Sequence, residues 1–124
     1  MAETILVCED DDISRRCLCE LLRDEGYEVR EAPDGTVAIQ LVDETDIDLV
    51  LTDLKMPGHD GLAVLKHVRK VSPKTPVILM TVKALADGAA EAMRLGAREY
   101  MLKPLMIDDV LGKIRHAIDK RNLP

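Results

Sequence analysis

The sequence has no tryptophan and no phenylalanine, and only Tyr27 and Tyr100 stand for the aromatics. That nearly excludes a platform on which the bases of single-stranded nucleic acid would stack, and it leaves Leu, Val, Ile, Ala and Met to pack the core. No apolar run approaches the roughly 20 residues that a helix needs to cross a bilayer, and the N-terminus lacks the charged-then-apolar pattern of a secretory signal. The expectation is a cytoplasmic protein without a membrane segment. Basic residues are in deficit: 23 acids against 17 bases leave a formal charge of -6. Such a surface repels a phosphate backbone and argues against direct nucleic-acid binding. Of the cysteines, Cys8 lies in a strand pattern, while Cys17 and Cys19 point to different faces of a helix. They read as reduced thiols.

The 124 residues suit one domain with one continuous core, spanning 1–124, with residues 120–124 a candidate start of a linker. Short apolar runs alternate with amphipathic stretches throughout. Thr4 to Cys8 reads as a fully buried strand, followed by a helix through Ile13, Cys17, Leu18, Leu21 and Leu22 that stops at Glu25-Gly26. Tyr27 to Glu31 alternates like a strand nearer an edge, and a helix through Val37, Ala38, Leu41 and Val42 follows Pro33-Asp34-Gly35. Strand three spans about Ile47 to Thr52, with Leu62, Leu65 and Val68 on its helix. Strand four runs from Pro76 through Met80, and an Ala-rich helix from about Leu85 to Leu95 contains Gly88. Because Gly costs about 1 kcal/mol relative to Ala inside a helix, that helix is the expected moving part. Strand five, about Glu99 to Leu102, leads through Lys103-Pro104 to a helix with Ile107, Val110, Leu111, Ile114 and Ile118 on one stripe.

Five strands alternating with five helices imply an α/β protein with a doubly wound, flavodoxin-like parallel sheet of order 2-1-3-4-5. In that fold the site lies at the carboxyl ends of the strands. Glu9 and Asp10 follow strand one, Asp53 follows strand three, Thr81 follows strand four and Lys103 follows strand five. Each has an ordinary reading when taken singly. The acids before a helix act as a cap, Asp53 as a turn residue, Thr81 as a strand end and Lys103 as a solvated lysine. Their joint arrival at one sheet edge outweighs those readings. Asp11 and Asp12 do read as the cap. His59, His67 and His116 lack metal-ligand spacing and read as surface.

Four segments then carry a resemblance: Leu6-Val7-Cys8-Glu9-Asp10-Asp11, the run Leu51-Thr52-Asp53-Leu54-Lys55-Met56-Pro57-Gly58-His59-Asp60-Gly61, Met80-Thr81 and Leu102-Lys103-Pro104. In this order they resemble the response-regulator receiver domains of bacterial two-component signalling, over essentially all of residues 3–120. The resemblance implies a phosphoacceptor at Asp53, with Thr81 and Lys103 completing the catalytic set. It also implies Mg²⁺ held by Asp10, Asp53 and the Lys55 backbone carbonyl, with Glu9 acting mainly through water. A partner histidine kinase or phosphotransfer protein would supply the phosphoryl group, and the chain would catalyse its own phosphorylation and dephosphorylation rather than turn over a substrate. Thr81 and Tyr100 would form a switch that alters the surface of helix four, strand five and helix five. The readers would be a downstream effector, a covalently linked output domain or, as one option, a phosphorylation-dependent homodimer.

The residues favour this over the rivals. An aspartyl-phosphate phosphatase places a second acid two residues after its nucleophile, where this chain has Lys55. A flavin module needs a hydroxyl- or Gly-rich phosphate cradle after strand one, where Glu9-Asp10-Asp11-Asp12 would repel phosphate. The alternative that stays open is a receiver-like interaction domain that is never phosphorylated. Two residues depart from the family pattern: Val82 is bulkier than the Ala or Gly common there, and Leu105 replaces the frequent Phe. The family also leads to the expectation of a cis Lys103-Pro104 bond.

Overall fold

The computed structural model describes residues 2–56, 58–83 and 88–121. Strands form where aliphatic and β-branched residues run together without interruption: β1 (Thr4–Cys8), β3 (Leu49–Asp53) and β4 (Val77–Thr81). Every position of β3 and β4 is buried, as expected for parallel strands covered by helices on both faces. The edges are β2 (Glu28–Ala32) and β5 (Glu99–Leu102), each with side chains exposed to solvent. All neighbours pair in parallel, in the order β2-β1-β3-β4-β5 that the alternation predicts. Strands three and four lie slightly C-terminal to their expected starts, so that Asp53 and Thr81 are themselves the last strand residues.

The helices are α1 (Asp12–Asp24), α2 (Gly35–Glu44), α3 (Gly61–Val71), α4 (Ala89–Arg94) and α5 (Ile107–Lys120). Asp11, Asp34 and Asp60 start α1, α2 and α3 by accepting the backbone N–H of Ser14, Val37 and Ala63, which satisfies donors the helix cannot. Successive strand side chains then divide between two cores. Ile5, Val7, Leu51, Ile78 and Met80 meet α1 and α5 through Leu18, Leu22, Ile114 and Ile118. Leu6, Cys8, Val50 and Leu79 meet α2, α3 and α4 through Ala38, Leu65, Val68 and Ala92. Fully burying one such side chain contributes about 1.5–3 kcal/mol, so truncating a central residue such as Leu51 would weaken the whole sheet. Among the described residues, no helix is long and apolar enough to cross a membrane.

Two helices differ from the sequence reading. In α1 the buried face is Arg15, Leu18, Cys19 and Leu22, whereas Ile13 and Leu21 are exposed and Cys17 faces solvent. The inward stripe is therefore rotated, keeping Leu18 and Leu22 but bringing in Cys19 and an arginine in place of Ile13, Cys17 and Leu21. For the fourth helix, residues 84–87 lie outside the described ones. Helix α4 begins at Ala89, and Gly88 precedes it at φ +92. This left-handed conformation, open to Gly at little steric penalty, places Gly88 at the helix start, and the helix-interior penalty does not apply to it.

Candidate functional site

Backbone hydrogen bonds prolong the ladder past the strand ends and thereby place the site. Glu9, one residue beyond β1, donates its N–H to the Ala32 carbonyl at 3.1 Å, and Lys103, one beyond β5, donates its N–H to the Thr81 carbonyl at 2.9 Å. Asp53 lies across from Met80, and Thr81 across from Leu102. Both face the same end of the sheet because parallel strands share a direction.

There the Lys103 ammonium lies 2.6 Å from Glu9 Oε1 and 2.7 Å from Asp53 Oδ1. Glu9 and Asp53 are buried, at 3% and 5% exposure, so one cation faces two desolvated carboxyls. The contact with Asp53 is an ion pair, and Oδ1 has no regular hydrogen-bond partner among the described residues. Burial raises the Asp53 carboxyl to about 8, with the proximity of Glu9 adding to the rise and Lys103 opposing it. Burial also acts upward on Glu9, but hydrogen bonding with Asp53 and Lys103 prevails and lowers it to about 2. Lys103 loses by burial and gains more from its two acidic partners, so its pKa is raised and it stays charged.

Asp10 is exposed beside these groups, and carboxylate oxygens of Glu9, Asp10 and Asp53 lie within 4.8 Å of one another. Three carboxylates at that spacing, with Asp53 Oδ1 buried and without a regular hydrogen bond, suit a hard divalent cation. Asp53, Lys55, Met80, Thr81, Val82 and Lys103 line a small cleft of about 60 Å³. Thr81 is buried, and its Oγ1 accepts the Lys83 N–H at 3.3 Å. Val82 is 63% exposed at the same cleft. The Lys103-Pro104 bond is cis. The structure therefore brings together Glu9, Asp10, Asp53, Lys55, Thr81 and Lys103. Tyr100 is on β5, 36% exposed, and does not line the cleft. His59 and His116 are exposed, while His67 is half-buried and pairs with Asp43 at 2.7 Å.

Sequence reasoning misses three supports. Gly61 returns the chain against Asp53: its N–H bonds the Leu54 carbonyl at 2.9 Å, and a Cβ there would overlap the Asp53 carbonyl oxygen and come within 2.8 Å of Leu54 Cα. Gly35 similarly has no room for a Cβ against the His59 backbone. The Asp60-Gly61 and Asp34-Gly35 pairs are the available signals, since each joins a helix cap to a residue without a side chain. The third support is Arg15, whose hydropathy conceals its burial.

Residues 5–115 match the family described as response regulator receiver domain. The chain belongs to this family. It is 36% identical to the regulatory protein AtoC of Escherichia coli K12 over 119 residues, covering 96% of this chain and 26% of AtoC. It is 39% identical to the transcriptional regulatory protein ZraR of the same strain over 114 residues, covering 92% of this chain and 26% of ZraR. The receiver chain thus spans about a quarter of the length of these relatives. Among solved structures, a receiver domain protein from Clostridium thermocellum superposes with a TM-score of 0.91 at 34% identity, covering 98% of both chains. The receiver domain of the sensor histidine kinase PA1611 from Pseudomonas aeruginosa, solved with magnesium coordinated in its active site cleft, gives 0.87 at 25% identity, covering 96% of this receiver and 99% of that one.

Proposed function

We propose that this receiver accepts a phosphoryl group on Asp53 from the phosphohistidine of a kinase or phosphotransfer protein and relays that charge as a signal. The observation that supports this most is the single ammonium of Lys103 set 2.7 Å from the buried Asp53 carboxylate. A carboxylate attacks a phosphoryl group poorly because both are anionic, so fixed positive charge must precede the reaction. In the step, an Asp53 oxygen forms the new P–O bond while the donor P–N bond breaks, and that electron pair remains on the imidazole nitrogen. Lys103 and the Thr81 hydroxyl receive the transferred phosphoryl oxygens in the cleft.

Asp10, Asp53 and the Lys55 carbonyl would hold Mg²⁺ directly, with Glu9 acting through water. When bound, the ion neutralises oxygen charge on both the nucleophile and the phosphoryl group. Phosphorylation adds roughly -1.5 to -2 charges. Movement of Thr81 toward them, followed by Tyr100 at the adjacent edge, shifts a two-state balance of the α4–β5–α5 surface. A linked output domain or a separate effector reads that surface, and residues 1–124 act as one receiver unit. Intact-mass analysis after acetyl phosphate treatment tests the reading. Wild type gains one phosphoryl mass only when Mg²⁺ is present, and Asp53→Ala gains none. Failure of wild type to gain it would instead favour an unphosphorylated interaction domain.

A further inference from the structure

We infer that Arg15 is a positioning residue for the cation site, acting through the Glu9-Asp10 peptide. The inference rests on the proposed function. Arg15 is only 8% exposed, unusual for an arginine unless its guanidinium is fully engaged. Its Nη1 donates to the Glu9 main-chain carbonyl at 2.9 Å, inside the protein. The ladder reaches the Glu9 N–H, which bonds the Ala32 carbonyl, and the guanidinium takes the place of a strand neighbour at the carbonyl of the same residue.

The planar fork is anchored on both sides. Nη2 donates to Asp12 Oδ1 at 2.7 Å, and Nε donates to Glu31 Oε1 at 3.3 Å. Glu31 is in turn held from its other oxygen by Arg23 Nη2 at 3.3 Å. Helix α1 and strand β2 therefore grip one guanidinium, and the guanidinium grips one peptide plane. That plane joins the Cα of Glu9 to the Cα of Asp10, and so sets where both carboxylates start. A rotation of the plane would move the Asp10 carboxylate away from Asp53 without touching Asp53 or Lys103. Groups that orient a metal's direct ligands commonly change its affinity by about 10–100-fold. A lysine ammonium is a point charge on a flexible stem and cannot hold three acceptors in the geometry of the fork.

The test compares Arg15→Lys with Arg23→Gln, which disturbs the same ion-pair network without reaching Glu9. Mg²⁺ affinity is measured by calorimetry on protein shown to be folded by circular dichroism, urea stability is measured separately, and acetyl phosphate labelling is followed at saturating Mg²⁺. Arg15→Lys is expected to weaken Mg²⁺ binding by about tenfold, with Arg23→Gln unchanged and the labelling rate of Arg15→Lys at saturation within about twofold of wild type. Unchanged Mg²⁺ affinity in Arg15→Lys, even with stability lowered, would overturn the inference, as would equal weakening in both variants. If Arg15→Lys does not fold, Glu31→Gln takes its place: weaker binding than in Arg23→Gln supports the inference, and equal binding overturns it. Wild-type protein that fails to bind Mg²⁺ would remove the proposed function and this inference together. Normal wild-type binding with a normal Arg15→Lys would remove this inference alone.

Discussion

Replacing Asp53 by asparagine should stabilise the metal-free receiver near pH 8, although it removes an ion pair. Asparagine keeps the shape of the side chain and leaves Lys103 paired with Glu9, so one half-buried cation then faces one buried anion. The sign follows from proton binding. Asp53 is raised from 3.8 to about 8, so between those values the folded state holds a proton that the unfolded chain has released. Its contribution is fully present below about pH 4 and is lost as pH rises through about 8. Glu9, lowered from 4.5 to about 2, contributes in the opposite sense and loses its stabilisation only in strong acid. Between about pH 5 and 8 Asp53 therefore governs the slope. A tenfold change in proton affinity is worth about 1.4 kcal/mol, but the site opens to solvent, and screening reduces the whole effect to about 1–2 kcal/mol. That equals a rise in Tm of about 5 °C. Without tryptophan, the assay is urea unfolding followed by far-ultraviolet circular dichroism. The advantage of Asp53→Asn should shrink toward pH 5, and millimolar Mg²⁺ should erase it by stabilising wild type selectively. A variant less stable than wild type at pH 8 without metal would refute the reasoning, because the Asp53–Lys103 pair would then be a net structural bond.

Other perturbations separate the parts of the site. Lys103→Met removes an ammonium that competes with a cation for Glu9 and Asp53. Mg²⁺ binding should tighten by about 1 kcal/mol while phosphorylation slows about 100-fold, read by calorimetry and mass spectrometry. Parallel losses of both would contradict the division of roles. Val82→Ala widens the mouth of the cleft and should speed labelling by acetyl phosphate severalfold, with an equal or slower rate counting against steric control. Gly61→Ala should cost more than about 2 kcal/mol in urea unfolding, since its Cβ has no place beside the Asp53 carbonyl. A loss below about 0.5 kcal/mol would show that the loop yields freely.

The sheet is legible because fully apolar runs alternate with amphipathic ones, and each of four runs ends at a residue with usable chemistry. Glu9, Asp53, Thr81 and Lys103 can be placed at one edge from strand order alone. The face of α1 is misread at Arg15 because hydropathy assigns arginine to water, whereas here the carbonyl just past β1 and two carboxylates replace water. The restrictions at Gly35 and Gly61 come from backbone met across a loop, which local patterning does not encode. An Ala-rich window is helical by propensity and draws Gly88 into the helix, yet the chain turns left-handed there. A switch role for Tyr100 is proposed from family likeness alone, since its exposed position on β5 carries no chemistry of its own.

If converging charge makes Asp53 the phosphoacceptor, the new bond must be found on that side chain and on no other. Borohydride reduction of protein phosphorylated in Mg²⁺, followed by peptide mass spectrometry, reads the bond itself, because an aspartyl phosphate is reduced to homoserine. Homoserine is expected at position 53 alone. Homoserine at position 10, or phosphoryl mass gained with position 53 unreduced, would mean that the charge arrangement around Lys103 serves some other purpose.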